Sequence, residues 1–265
     1  MAPKSHVSSR AGWRFAATLF ISGLAVAAAA QPTNHPVFAA RAEAEFHRAQ
    51  NQWQSNTNDS AAAWHFARAC YDFADFATND TERATLAIQG IAASRQLLLS
   101  RPKSTPGHYY LGMNLGQLAR TELLGALKLV REMEREFKTA DDLDERFDYA
   151  GPARCLGLLY RDAPGWPASI GSRRKAREWL ERAAKAAPDY PENHLNLIES
   201  QLQWNDRAGA ETELKTLDAL WPRAQTNFAG VAWEPGWADW TARKGAVDQS
   251  LTPTSPPSEP PKALH

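Results

Sequence analysis

The sequence predicts an all-α fold: a right-handed solenoid of stacked antiparallel helix pairs with a C-terminal capping helix. Three observations predict it. The stretch GSRRKAREWLERAAKAAP (171–188) aligns with NDRAGAETELKTLDALWP (205–222). Ala176 falls on Ala210, Leu180 on Leu214, Ala183 on Leu217 and Pro188 on Pro222, each at an offset of 34 residues. A fixed interval of this size marks one helical unit repeated along the chain. Elsewhere Leu123, Leu127, Val130, Met133 and Phe137 recur at steps of 4, 3, 3 and 4, the apolar stripe of an amphipathic helix. Finally, small residues (Gly157, Ala176, Ala210) alternate with large ones (Leu156, Leu180, Leu214). Small positions let paired helices approach closely and large ones fill the space between pairs. No pair buries its apolar face alone, so pairs must stack.

The elements follow in order. Residues 1–30 read as a secretory signal peptide: Lys4, Arg10 and Arg14 precede an apolar run from Phe15 to Val26, and Ala28-Ala29-Ala30 fits a small-x-small cleavage site. The run is shorter than the ~20 residues of a transmembrane helix, so no stable membrane span is expected. The alternative is an uncleaved signal that anchors the chain in the inner membrane. Residues 31–248 form the helical repeat domain. Its first helix covers Ala39 to Trp53, with Phe46 and Ala49 inside. Asp59 is a good N-cap for the next helix, in which Trp64, Ala67 and Tyr71 follow the spacing W-x2-A-x3-Y. Asp80 is expected to cap a helix that stops at Pro102. Thr105-Pro106 starts another, with proline in the first turn where no amide partner is lost. The acidic run Asp141-Asp142-Leu143-Asp144-Glu145 is placed at a helix start, where the dipole favours it. Pro188 and Pro222 each end a second helix of a pair. Residues 228–243 read as a loop and capping helix, in which Trp233, Trp237 and Trp240 either form a platform for a carbohydrate or apolar ligand or, as their spacing favours, dock the cap on Trp221. The Pro- and Ser-rich tail, 249–265, is expected to be disordered.

Leu156-Gly157-x2-Tyr160 stands where the tetratricopeptide repeat has L-G-x2-Y, and His194-x2-Leu197-Ile198-x2-Gln201 is a looser copy. The 34-residue offset also matches that repeat, whose second helix carries an A-x3-F-like core. The chain thus resembles the tetratricopeptide-repeat superfamily, with about three to four helix pairs implied. Over residues 150–222 the resemblance narrows. LGLLYRDAPGWPASIGSRRKAREWLERAA resembles exported bacterial repeat proteins with a Pro-Gly-aromatic insertion, related to the repeat component of tripartite periplasmic transporters. Members of that component are commonly lipoproteins, and no cysteine follows the leader here.

Composition excludes several classes. Charged residues balance, with 30 basic and 30 acidic; without the first 30 residues the balance is 27 to 30. No basic patch of the kind that binds a phosphate backbone exists, which argues against nucleic acid. The two cysteines, Cys70 and Cys155, are too few for a disulfide scaffold; they are either buried thiols or a single pair. The seven histidines show no metal-ligand spacing, and no nucleophile elbow or phosphate loop is present. Neither enzyme activity nor a cofactor is expected.

Three clusters are candidate partner-binding residues. Trp166, stiffened by Pro164, Gly165 and Pro167, either clamps a partner or folds back over its helix pair. Tyr109, Tyr110 and Asn114 lie on a first helix, the kind that lines the concave face in the repeat architecture. Asn193, His194 and Asn196 (with Glu199) set polar groups along another, either to bond an extended peptide or to solvate the surface. The function read from these is binding of a protein or peptide partner in a concave groove, in a periplasmic or secreted protein. The alternative is an accessory transport component that holds or passes on a small apolar ligand.

Overall fold

In the computed structural model the described residues are 36–252, except 123 and 124. The predicted signal peptide and the tail beyond 252 lie outside them. Among the described residues ten α-helices follow one another: α1 Pro36–Ser55, α2 Ser60–Ala74, α3 Asp80–Ser100, α4 Thr105–Ala119, α5 Ala126–Leu143, α6 Gly151–Asp162, α7 Arg173–Ala186, α8 Pro191–Gln203, α9 Arg207–Asn227 and α10 Glu234–Leu251. Each helix packs against the next through α9, and α10 turns back onto α8. Four antiparallel pairs result: α2/α3, α4/α5, α6/α7 and α8/α9. The even-numbered first helices also touch along the stack, α2 to α4, α6 to α8 and α8 to α10. The fold is therefore the expected all-α helical-repeat solenoid, with α1 and α10 as its ends. No helix among the described residues is long and apolar enough to cross a membrane.

Close packing follows the small residues. A Cβ added to Gly157 would lie 2.6 Å from Leu180 Cγ, and one on Gly112 2.5 Å from Phe137 Cε1. Gly112 and Gly157 therefore mark where α4 meets α5 and α6 meets α7. The main core runs from Phe46 and Phe66 through Tyr109, Met113 and Phe137 to Leu156 and Tyr160. A second core joins Tyr190, Leu195, Leu217 and Phe228 to Trp233 and Trp240. The tryptophan stripe docks the cap, with Trp221 and Trp237 edge to face at 5.2 Å.

Local signals decide most helix starts. Asp59 accepts from Ala61 N at 2.8 Å, Ser104 from Gly107 N and Ser172 from Lys175 N, satisfying amides that helix geometry leaves unpaired. Four expectations are corrected. The cap of α3 is Asn79, which accepts from Glu82 N at 2.9 Å, and Asp80 is the first helical residue. Asp141 and Asp142 lie in the last turn of α5 rather than at a start. There the Arg182 guanidinium holds Asp141 at 2.8 Å and offsets the unfavourable dipole. Pro222 does not end α9, which continues to Asn227 because Ala224 and Phe228 beyond it are buried in the second core. Likewise α10 continues to Leu251, past the expected boundary at 248, because Leu251 is itself buried. Cys70 and Cys155 are free, buried thiols.

The first and last helices meet. Arg41 Nη1 of α1 donates to Glu234 Oε2 of α10 at 2.6 Å, although 193 residues separate them. The stack thus curls until its ends touch.

Candidate functional site: the buried polar wall of the first helices

Two histidines at equivalent places show how pairs are tied. His108 Nδ1 lies 2.6 Å from Glu136 Oε2 and its Nε2 2.8 Å from the Pro102 carbonyl. His194 repeats this with Glu213 at 2.5 Å and the Pro188 carbonyl at 2.8 Å. Both ring nitrogens of each histidine are engaged. Each ring therefore clasps the start of a first helix to its second helix. The sequence signal is Pro-x5-His, present at 102–108 and 188–194. The bond to Glu136 raises the His108 pKa.

Between α5 and α6 the link is different. Asp148, Tyr149 and Ala150 all have positive φ (49°, 57° and 62°), a conformation that L side chains adopt at a cost of about 1–2 kcal/mol each. Side chains hold it in place. Arg154 Nη1 donates to Tyr149 O at 3.2 Å and Nη2 to Asp148 O at 3.4 Å. Asn193 Nδ2 donates to Tyr149 O at 3.0 Å and to Ala183 O at 3.1 Å, while its Oδ1 accepts from Arg154 Nη1 at 3.0 Å. The Tyr109 hydroxyl donates to Asp148 Oδ2 at 2.8 Å.

From this link a polar wall runs along the inner sides of the first helices. Arg154 is fully buried, and its Nε lies 3.8 Å from Glu192 Oε1. Burial pushes the Glu192 carboxyl up to about 7, against the pull of Arg154 and Arg243. Arg243 of α10 donates to Glu199 Oε1 at 2.7 Å and to Asn196 Oδ1 at 2.6 Å. At the other end Gln117 Nε2 donates to Asp75 Oδ1 at 2.6 Å, and burial raises Asp75 to about 6. Such buried charges are expensive to desolvate and hold only when paired.

The predicted site residues divide. Tyr109, Tyr110, Asn114, Asn193, His194 and Asn196 are all buried, which corrects the expectation that they face an open groove. The physical reason is that their polar groups are spent on internal bonds: Asn193 on Tyr149 O and Ala183 O, His194 on Glu213 and Pro188 O, and Asn196 on Arg243 of α10. Asn114, for instance, donates to Ala67 O and Tyr110 O at 2.8 Å. Trp166 stands apart. It is 88% exposed on the α6–α7 loop, whose neck is closed by Gly171 N donating to Pro164 O at 2.9 Å and Ser172 N to Tyr160 O at 2.8 Å. Sequence reasoning missed Arg154, Glu192, Asp148 and Arg243. The signal that could have found Arg154 was a charge inside an apolar stripe, as in GPARCLGLLY.

The wall holds no nucleophile beside a base. Burial pushes the Cys155 thiol up to about 12, far from the thiolate that nucleophilic chemistry uses. Among the described residues no cluster of three His, Cys, Asp or Glu is placed to hold a metal ion. A separate open cavity of about 540 Å³ lies at the α9–α10 link, lined by Phe228, Gly230, Val231, Glu234 and Trp237 among others.

No family model matches the chain, and no curated protein matches it. Among solved structures the chain is similar to a thermophilic TPR protein of Thermus thermophilus, with 19% identity and a TM-score of 0.55. The match covers 79% of this chain and 92% of that one. At that identity the likeness establishes the fold, a tetratricopeptide-like helical repeat.

Proposed function

We propose that the protein is a non-catalytic scaffold that binds a protein partner, with Trp166 on the α6–α7 loop as an anchor. Helical repeats of this fold typically act as interaction scaffolds, and fold alone does not name the partner. The observation that carries the reading is Trp166 itself: a large aromatic 88% exposed on a loop whose neck is pinned by two backbone hydrogen bonds. Exposed aromatics on stiff supports anchor interfaces because little side-chain entropy is lost on contact. Export to the periplasm rests on residues 1–30 and is part of the proposal. The wall is polar rather than apolar, so the small-ligand transport reading draws no support from it.

The test is photocrosslinking from position 166 in the native compartment, followed by mass spectrometry. The expected result is one protein adduct whose yield falls when the label is moved to an exposed residue of α9 such as Lys215. Labelling of a co-purifying small molecule alone would replace the scaffold reading with ligand carriage. In purified protein Trp166→Ala should change stability by no more than about 0.5 kcal/mol, measured by chemical denaturation. A larger loss would show that the ring packs on the fold instead of waiting for a partner.

A further inference from the structure

The open cavity at the α9–α10 link is built from fixed parts. Helix α9 runs unbroken through Pro222 to Asn227, and Phe228 N donates to Ala224 O at 2.8 Å. Gly230 then turns the chain at φ 99°, a conformation that favours glycine. Two bonds hold the turn: Trp237 Nε1 donates to Phe228 O at 2.7 Å, and Trp233 N donates to Gly230 O at 2.9 Å. A Cβ on Gly230 would meet no atom within 4 Å, so the turn borders open space. The cavity volume of about 540 Å³ lies within the range of small-molecule sites, about 300–1,000 Å³.

The lining offers two kinds of surface. One is apolar. Trp237 spends its indole N–H on Phe228 O, so the half-buried ring presents carbon to the cavity. Val231 beside it is 60% exposed, a branched apolar side chain standing in water. The other surface is polar. Glu234 Oε2 accepts from Arg41 Nη1 at 2.6 Å, while Glu234 Oε1 and the Gln225 amide have no bonding partner among the described residues. The side chains of the Arg41–Glu234 pair are 42% and 49% exposed, within reach of a ligand.

These groups narrow the ligand class. A small anion would meet the Glu234 carboxylate, and a cation would meet the Arg41 guanidinium. A wholly apolar molecule would strip water from Gln225 and the ion pair and return no hydrogen bond. A neutral molecule with one carbon face and several hydroxyls avoids all three penalties. Each hydroxyl both donates and accepts, and the C–H face of a sugar ring matches the flat carbon surface of an indole.

We propose that this cavity is a saccharide-binding site. The sugar ring lies with its C–H face on Trp237 and Val231, donates a hydroxyl hydrogen to Glu234 Oε1, and accepts from Gln225 Nε2 and Arg41. The site follows the last helix pair, on a different loop from Trp166, so it goes beyond the scaffold reading and stands or falls separately from it.

The test is an NMR titration of the isotope-labelled full chain, with its backbone amides and indole N–H groups assigned. Maltotriose, cellotriose and chitotriose are each added to about 10 mM. At least one should move the Gly230, Val231 and Trp237 signals saturably, with Kd below about 1 mM, and leave the Trp166 signals in place. Gln225→Ala, at an exposed helix position, should weaken that binding about three- to tenfold with Tm unchanged. Equal affinity in this variant would overturn the assigned hydrogen bonding. Signals at the turn that none of the three sugars moves would overturn the site. Movement with leucine or n-hexanol, and with no sugar, would overturn the saccharide class. None of these outcomes bears on crosslinking from position 166, which tests the scaffold reading alone.

Discussion

At the scale of single residues, Arg154 carries the most. It ties the left-handed Asp148–Ala150 link to α6, α8 and the two acids beside it. Replacing it with Met keeps volume but leaves Glu192 buried without the cation beside it. Arg154→Met should destabilise the fold by about 3–5 kcal/mol, read as a lower denaturation midpoint. A loss below about 1 kcal/mol would mean the acids are already neutral or paired elsewhere. Asn114 ties elements together in the same way on α4. Its amide nitrogen has two carbonyl partners, and the space it fills exists only because position 90 is glycine, where a Cβ would lie 2.3 Å from its Oδ1.

At the scale of elements, the interhelix contacts are short because of glycine. Gly157→Ala improves helix propensity by about 1 kcal/mol. Its Cβ would nevertheless press on Leu180 Cγ at 2.6 Å and on the Leu180 backbone nitrogen at 3.1 Å. Overpacking against another helix costs about 1–3 kcal/mol, so thermal unfolding of this variant should shift downward; an upward shift would show that α6 and α7 can slide apart. The histidine clasps give a second expectation. His194→Leu should destabilise by about 1–3 kcal/mol, measured by chemical denaturation, because Glu213 and the Pro188 carbonyl both lose their hydrogen-bond partner.

Helix pairs, the close contact at Gly157 and the Trp stripe were legible in the sequence, since each depends on residues within one or two helical turns or one repeat interval. The site was legible only in part. Asn193, His194 and Asn196 were placed on one helix, but the partners that bury them lie on the α5–α6 link, α9 and α10, 19 to 47 residues away. Local spacing does not encode those contacts. Arg154 was passed over for a related reason: its partners lie in the α5–α6 link and on α8, 5 to 39 residues away.

At the scale of the whole molecule, the buried charges set a pH response with a definite sign. His108 is raised by its bond to Glu136, so its contribution is full below its ordinary pKa and is lost as pH rises through the folded value. Glu192 and Asp75 are raised to about 7 and about 6 from 4.5 and 3.8. Their ionisation penalises the fold above those values, and the penalty disappears as pH falls toward their unfolded values. For Glu192 the span is on the order of 3 kcal/mol. Glu134 and Glu136 are depressed by their partners, and their contribution is lost as pH falls through their folded values. Stability should therefore peak on the acid side of neutral, with Tm higher near about pH 5.5 than near about pH 8. Glu192→Gln should flatten the alkaline limb; an unchanged limb would place the titration elsewhere.

The contact between Arg41 and Glu234 has one more consequence, for how such a chain can change length. An open stack accepts another helix pair anywhere, since each unit meets only its neighbours. In a stack whose two ends touch, duplicating or deleting one pair would also carry α1 and α10 past each other or apart and break the Arg41–Glu234 pair. Its side chains are 42% and 49% exposed and such a pair is worth at most about 1 kcal/mol, so a change in repeat number would part the ends at little cost.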